Sequence, residues 1–404
     1  MTEDHASLAR NDHHHGNEKT KIRPIVVKAA IACLVIPGVI SCSQPPASDS
    51  GGLHEGHEHP DDMPIAPSLG DATDGQLNWY RGQLHVHANY GIEDLCSQCS
   101  TISYGTVLDW YFTNEFNFVA LTDLNYYKPV DGLEFWNTAE RFLLLAGTEL
   151  NTNPFGGEKI VDSLGIGTTR AVNPPSDSLT SVSEILDEQA RRIRSAGGLA
   201  VVAHPNLSWS VTAQDILAID TVAGTLRDPL FFEVMNGEPG MNNMGGGGFP
   251  STEEIWDEVL TAGKVMYGIG ADDSHQFERF GVQFANPGRA WVVVRAPSLA
   301  QNELFSAMKA GDFYATTGLE LLDYQVDDTG IDIALNPETR DLGWSVPGTN
   351  DQRYRTEFIG SGGQVLHVDD TLDPSYVFQG DELYVRARIT SSDGLKAWTQ
   401  PVYP

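Results

Sequence analysis

The stretch Gly82-Gln83-Leu84-His85-Val86-His87 decides how the rest of the chain reads. As a strand it sends residues two apart to the same face, so the imidazoles of His85 and His87 project together while Leu84 and Val86 face the opposite layer. Two neutral imidazoles at that spacing are half of a divalent-metal site, which carboxylates from other strands can complete. A His-x-His pair alone is equally compatible with a surface or packing role. The positions of the other histidines therefore matter.

The chain has 12 histidines, and seven of them (His5, His13, His14, His15, His54, His57 and His59) precede residue 60, while His367 lies far downstream. The remaining four, His85, His87, His204 and His275, all fall where an apolar run ends. Phe118 to Leu121 leads into Thr122-Asp123, and Phe142 to Ala146 into Gly147-Thr148-Glu149. Leu199 to Ala203 leads into His204-Pro205-Asn206, Leu230 to Phe232 into Glu233-Val234-Met235-Asn236, and Val265 to Ile269 into Gly270-Ala271-Asp272-Asp273-Ser274-His275. Short runs that are apolar throughout are what strands buried on both faces look like. Between them, Ser181 to Ala196 and Ser251 to Ala262 read as amphipathic helices, each opened by a Ser-x-x-Glu capping signal. Strand and helix alternate over about 240 residues, which predicts a parallel α/β barrel with its chemistry at the carboxyl ends of the strands.

The 404 residues carry a formal charge of -30, from 25 basic against 55 acidic side chains, which excludes a nucleic-acid partner. Near the amino end, Ile25 to Ile40 is mostly apolar and follows Lys19, Lys21 and Arg23. It is of signal-peptide length and short for a membrane span. It closes on Val39-Ile40-Ser41-Cys42, which resembles the lipobox of bacterial lipoproteins. The resemblance implies cleavage before Cys42, acylation of its thiol, and an exported protein on the periplasmic or outer-membrane side whose only membrane contact is the lipid. An uncleaved anchor or a buried helix is the alternative, and the long polar segment before the run fits a start codon downstream of Met1. Residues 43–77, including His54, His57 and His59, read as a flexible tether with no preorganised metal shell. Cys96 and Cys99 read most simply as a short disulfide outside the cytoplasm.

The order of these motifs resembles the polymerase and histidinol phosphatase (PHP) superfamily of metal-dependent hydrolases, over about residues 80 to 320. Leu84-His85-Val86-His87 is similar to its opening motif, Thr122-Asp123 to its second, Gly147-Thr148-Glu149 to its bridging glutamate, and Ala203-His204-Pro205 and Asp273-Ser274-His275 to its later ones. Glu233 to Asn236 and Gly311 to Gly318 also look like family sequence. The resemblance implies a distorted seven-stranded β/α barrel over 78–318, binding Mn, Zn or Fe and hydrolysing phosphoesters. Exported members include a branch resembling carbaryl hydrolase, for which carbamates or carboxyl esters are the substrates. The family pattern Thr-Asp-His-Asn is here Thr122-Asp123-Leu124-Asn125, and no histidine occurs between His87 and His204. Carried over residue by residue, one ion has His85, His87, Glu149 and Asp273. A second has Glu149 and His204 with an oxygen donor or water, and a third, on His275 with Glu93 or Asp94, is not expected.

A bound ion lowers the pKa of water toward about 7, so no serine or cysteine nucleophile is required. In that scheme His204 or His275 protonates the leaving group of a small ester substrate, and Asp123 orients a ligand or a water. Arg289 and Asn236 are candidate contacts to an anionic substrate, a surface ion pair being the plainer reading of Arg289. The segment Met241 to Gly248 reads as a mobile lid or as a plain insertion. A metal-binding protein without turnover and a structural lipoprotein stay open as alternatives. From 319 to 404 the pattern changes to short alternating runs such as Tyr384 to Ile389, predicting a small antiparallel β-sandwich of about 80 residues. Packing against the barrel is its expected role, with glycan binding through Trp344 or Trp398 as the alternative.

Overall fold

Burial on both faces makes strands of the apolar runs. In the computed structural model, which describes residues 77–90 and 101–404 apart from 139, 154–156, 177 and 338–352, each anticipated run is a strand and each capped segment a helix. The signal and lipobox with Cys42, the tether, Glu93, Asp94, Cys96, Cys99 and Trp344 lie outside the described residues. In chain order the elements of the first part are β1 (Asn78–Gln83), α1 (Tyr104–Thr113), β2 (Phe118–Leu121), β3 (Leu143–Thr152), β4 (Val161–Ile166), α2 (Val182–Ser195), β5 (Leu199–Val202), α3 (Ala213–Leu217), β6 (Leu230–Asn236), α4 (Thr252–Thr261), β7 (Met266–Ala271), β8 (Trp291–Ala296), α5 (Gln301–Ala310) and β9 (Phe313–Thr316). The chain continues with β10 (Leu321–Val326), β11 (Gly330–Leu335), β12 (Tyr354–Gly360), β13 (Gln364–Asp369), β14 (Ser375–Val377), β15 (Arg386–Ser391) and β16 (Lys396–Thr399).

The protein is mixed α/β, built on one large sheet ordered β13-β12-β15-β16-β9-β8-β1-β2-β3-β4-β5-β6-β7. Pairs β1–β2, β2–β3, β5–β6 and β6–β7 are parallel, as expected from the alternation. The expectation of parallel strands throughout fails at β8, which is antiparallel to both β1 and β9, and at β4, which lies antiparallel between β3 and β5. At β4 the reason is chain length. A parallel return needs a crossover of about a dozen residues or more, and the link from Thr152 to Val161 is shorter than that, so it can only make a hairpin.

A second difference concerns the opening motif. Strand β1 stops at Gln83, two residues before His85, because the Gln83 side chain takes over the backbone pairing. Its Oε1 accepts from the N–H groups of Leu84, His85 and Asp272, and its Nε2 donates to the carbonyl of Ala290. Beyond this plug Val86 forms an isolated parallel bridge with Ser274, with His87 N–H on Ser274 O and Asp273 N–H on His85 O, each at 3.1 Å. The alternation survives outside the strand: Leu84 and Val86 are fully buried in apolar clusters, and the two imidazoles sit 4.9 Å apart between ring centroids. Glycine is required at Gly82, where a Cβ would lie 1.9 Å from Cζ of the buried Phe118 ring.

The helices carry the caps read from sequence. Ser251 and Glu254 make the reciprocal box at α4, whereas at α2 the Ser181 hydroxyl accepts from Glu184 N–H but the Glu184 carboxylate turns to Thr180. After Gly318, strands β12, β13, β15 and β16 extend the large sheet through β16–β9, and β10, β11 and β14 form a separate three-stranded sheet. Polar contacts tie this region to the rest. Gln400 presents its amide to Gly268 of β7 as a strand would, at 2.8 and 2.9 Å. Arg386, 1% exposed, grips Asp257 of α4 through Nε at 2.9 Å and Nη2 at 2.7 Å, with its guanidinium over the Trp256 ring. Among the described residues no helix is long and apolar enough to cross a membrane.

Arg386→Leu leaves the Asp257 carboxylate buried without its cation, which costs about 3–5 kcal/mol. Urea unfolding is expected to show a lower midpoint at unchanged slope, with much of the loss recovered in Arg386→Leu/Asp257→Leu.

Candidate metal centre

Four strands deliver the ligand candidates. His85 and His87 follow β1, Glu149 lies within β3, His204 follows β5, and Asp273 and His275 follow β7. All except His275 are buried, and the His275 side chain is 23% exposed. His85, His87 and Asp273 bring their donor atoms within 4.8 Å of one another, and Glu149 stands against both imidazoles. Asp273 Oδ1 lies 3.3 Å from His85 Nε2 and 3.1 Å from His87 Nε2, and Glu149 Oε2 lies 3.4 Å from each of the same two nitrogens.

These contacts are close without being hydrogen bonds. His85 Nε2 and both ring nitrogens of His87 are buried with no hydrogen-bond partner. Orphaned nitrogens beside carboxylate oxygens are costly unless something else joins them. Ligands about 2.1 Å from a common ion stand roughly 3.0–3.4 Å apart, from octahedral to tetrahedral geometry. The observed 3.1–3.4 Å matches that spacing, so the residues fit a divalent ion. A second triad, His85, Glu149 and His204, also brings its donor atoms within 4.8 Å of one another.

A supporting layer fixes these groups. Glu233 Oε1 accepts from His85 Nδ1 at 2.6 Å, which leaves Nε2 as the ligating atom, and Glu233 Oε2 accepts from His204 N–H at 2.7 Å. Asn236 donates through Nδ2 to Glu233 and to Asp273 Oδ2, and its Oδ1 accepts from Glu238 N–H, so the side chain offered as a substrate contact is occupied in positioning carboxylates. Asp123 accepts from Ala88 N–H, Tyr90 N–H and the Tyr104 hydroxyl, holding the loop that carries His87. Its expected part in orienting the site thus works through the backbone. His275 stacks on His87 at 4.2 Å, with Nδ1 to Asn89 Oδ1 at 2.7 Å and Nε2 at 3.2 Å from Asp273 Oδ1. Both Nη atoms of Arg289 donate to carbonyls, of Gly237, Gly281 and Phe284, so the guanidinium pins a loop. Leu124 is half-buried, and its backbone bridges to Glu149.

Two of the ligand candidates sit on strained backbone. His204 has φ of 21° and Asp273 has φ of 49°, conformations that cost side-chain-bearing residues about 1–3 kcal/mol each and persist where the surroundings enforce them.

Charge distribution follows from burial. Burial lowers the pKa of His85, but the charges of Asp273, Glu233 and Glu149 outweigh it and hold the imidazole well above its ordinary value. Burial likewise opposes protonation of His204, yet Glu149, hydrogen-bonded to it, brings it up to about 10. His87 goes the other way, down to about 4, through burial and the neighbouring His275 charge. Burial pushes Asp123 up to about 6. Asp162 rises to about 8 through burial and the charge of Glu149.

Glu233 and Asp162 were not singled out from the sequence. Glu233 lies in a stretch read for its family look alone, and Asp162 lies in β4, a strand too polar to register as an apolar run. The available signal was a carboxylate inside a short strand, between Phe232 and Val234 for Glu233 and between Val161 and Ser163 for Asp162.

No family model and no curated protein matches the chain. Among solved structures it is similar to a two-domain protein containing a predicted PHP-like metal-dependent phosphoesterase from Bacteroides vulgatus, at 12% identity and a TM-score of 0.42, covering 84% of this chain and 100% of that one. At that distance the likeness carries no argument about function.

Glu233→Gln is expected to weaken Mn2+ or Zn2+ binding about 10–100-fold, measured by competition with a chelating dye. Because raised pKa values keep His85 and His204 protonated in the metal-free protein at neutral pH, metal uptake releases protons. Affinity should therefore tighten as pH rises, by about tenfold per pH unit for each proton displaced, as read by titration calorimetry in buffers of different ionisation enthalpy.

Proposed function

We propose that this chain is a metal-dependent hydrolase of the PHP superfamily that cleaves phosphoric esters with a metal-activated water. The observation that carries the reading is the group of His85, His87, Glu149 and Asp273 donor atoms, spaced as ligands of one ion with the imidazole nitrogens otherwise unpartnered. An ion held by these residues would supply Lewis acidity and lower the pKa of a water toward about 7. His275, the one partly exposed imidazole of the set, is placed to give a proton to the leaving group, and Asn89 holds its Nδ1 so that Nε2 is the exchanging atom. His204 is bonded to Glu149 and serves as a ligand before it serves as an acid. The finer architecture belongs to the same reading: a distorted seven-stranded barrel with an appended β-sandwich, in an exported protein anchored through Cys42.

A neutral carboxyl ester or carbamate is the second reading. It is favoured by a specific observation: Arg289, the candidate grip for an anion, has both Nη atoms committed to carbonyls.

The test loads the full chain with Mn2+ or Zn2+ and assays phosphomonoesters, phosphodiesters, carboxyl esters and carbamates, with Asp273→Asn alongside. Bound metal and a kcat/KM lowered about 10³-fold or more in the variant, roughly 4 kcal/mol of transition-state stabilisation, is expected and names the bond class. Metal without turnover of any class would favour the binding protein that Leu124 hints at. No metal at all would sink the site.

A further inference from the structure

We propose that Glu238 is a specificity-determining residue of the metal centre and selects esters whose organic group carries an ammonium ion. The inference rests on the hydrolase reading above and deepens it to a substrate class. Position comes first. The segment that follows β6 is fixed on both sides: Gly237 N–H donates to Ala271 O at 2.8 Å, Gly237 O accepts from Arg289 Nη1 at 2.9 Å, and Glu238 N–H donates to the same Asn236 side chain whose Nδ2 reaches Asp273. A Cβ on Gly237 would lie 2.7 Å from Cβ of Arg289, so glycine lets the chain pass this close. Glu238 is thereby held half-buried beside the ligand candidates, where the charges of Asp273, His275 and His204 act on it.

Glu238 lacks a cation. Its Oε2 accepts from Gly240 N–H in the local turn, and among the described residues no lysine, arginine or histidine forms an ion pair with it. Arg289 stands within its field but spends both Nη atoms on carbonyls, and Lys159 gives its Nζ to the carbonyls of Trp209 and Ser210. A divalent ion on Glu149 and Asp273 would be balanced by those two carboxylates and would leave Glu238 unbalanced. Burial and the charge of Asp273 raise its pKa, as they do for a carboxylate with no counter-ion. The arrangement is costly until a cation arrives.

A second observation points the same way. The loop that Glu238 begins returns at Phe249, and Asn206, two residues after His204, ties it down by donating to Asn242 O at 2.8 Å and Pro250 O at 3.1 Å. There the Phe249 ring, 48% exposed, stacks on Trp209 at 4.5 Å. Exposed aromatic faces attract ammonium groups through the ring quadrupole, indoles most strongly. The net charge of -30 adds a field that draws cations in and turns anions away. A carboxylate without a cation, a π face on the same loop and an acidic molecule together recognise a positive group on the substrate, in a phosphoester or a carboxyl ester alike.

The test loads the full chain with Mn2+ and assays phosphocholine, phosphoethanolamine and acetylcholine, each against the isostere in which a carbon replaces the ammonium nitrogen. In the bond class that turns over, the ammonium ester is expected to have a kcat/KM at least about tenfold above its isostere, with the difference in KM. Glu238→Gln, which keeps an acceptor for Gly240 N–H, is expected to bring that ratio to about one, and Phe249→Ala to cut it severalfold. A ratio measured within one variant is not moved by partial misfolding. Equal kcat/KM for both members in wild type would overturn the inference while leaving the hydrolase reading intact, whether or not the variants fold. An undiminished ratio in Glu238→Gln would overturn the role of that residue. If no ester of either class turns over, the hydrolase reading fails on its own, and choline titrated by calorimetry into the Mn2+-loaded chain decides for Glu238. Binding that Glu238→Gln weakens at least about tenfold supports the ammonium site, and no binding overturns it.

Discussion

Carboxylates buried against imidazoles, with almost no solvent to screen them, are the constraint to which the rest of the structure answers. Glu149, Asp162, Glu233 and Asp273 are all buried, and each lies beside His85, His87 or His204. Such a cluster does not hold itself together, because like charges repel and the ring nitrogens are too few to satisfy every oxygen. It needs walls that cannot relax. Those walls are the strand ends β1, β3, β5 and β7, and the bridge from Val86 to Ser274 that locks the last of them to the first.

The locking has its own chemistry. Gln83 interrupts β1 and spends its amide on three N–H groups and one carbonyl of the neighbouring segments. Asp272 does the equivalent one step away, accepting from Gly288, Arg289 and Ala290 N–H and from the Tyr111 hydroxyl. Between these two anchors Asp273 adopts a positive φ and faces the imidazoles. Backbone strain there persists because the flanking hydrogen bonds leave no other conformation.

The outline of this arrangement was legible in the sequence, and for a local reason. His85, His87, Glu149, His204, Asp273 and His275 are polar residues at the ends of apolar runs, and an apolar run is a property of a few adjacent residues. Helices α2 and α4 were legible through their caps for the same reason. What escaped depends on partners distant in the chain. Strand β4 is recognisable only once β3 and β5 are there to pair with it, and the carboxylates of Asp162 and Glu233 acquire meaning only when His204 and His85 arrive from elsewhere. The halt of β1 at Gln83 likewise follows from Asp272 and Ala290, about 190 and 207 residues away.

The continuity of the sheet past Gly318 bears on how this protein tolerates being divided. A cut there would strip β16 from β9 and turn an interior strand into a bare edge, with unpaired N–H and C=O groups open to any passing strand. It would also take Gln400 from Gly268, opening a gap in the backbone pairing of β7, the strand that leads into Asp273. The change in sequence pattern at residue 318 is thus a seam in composition that the hydrogen bonding crosses. In the folded molecule the carboxyl-terminal strands are part of what keeps the ligand-bearing strands in line.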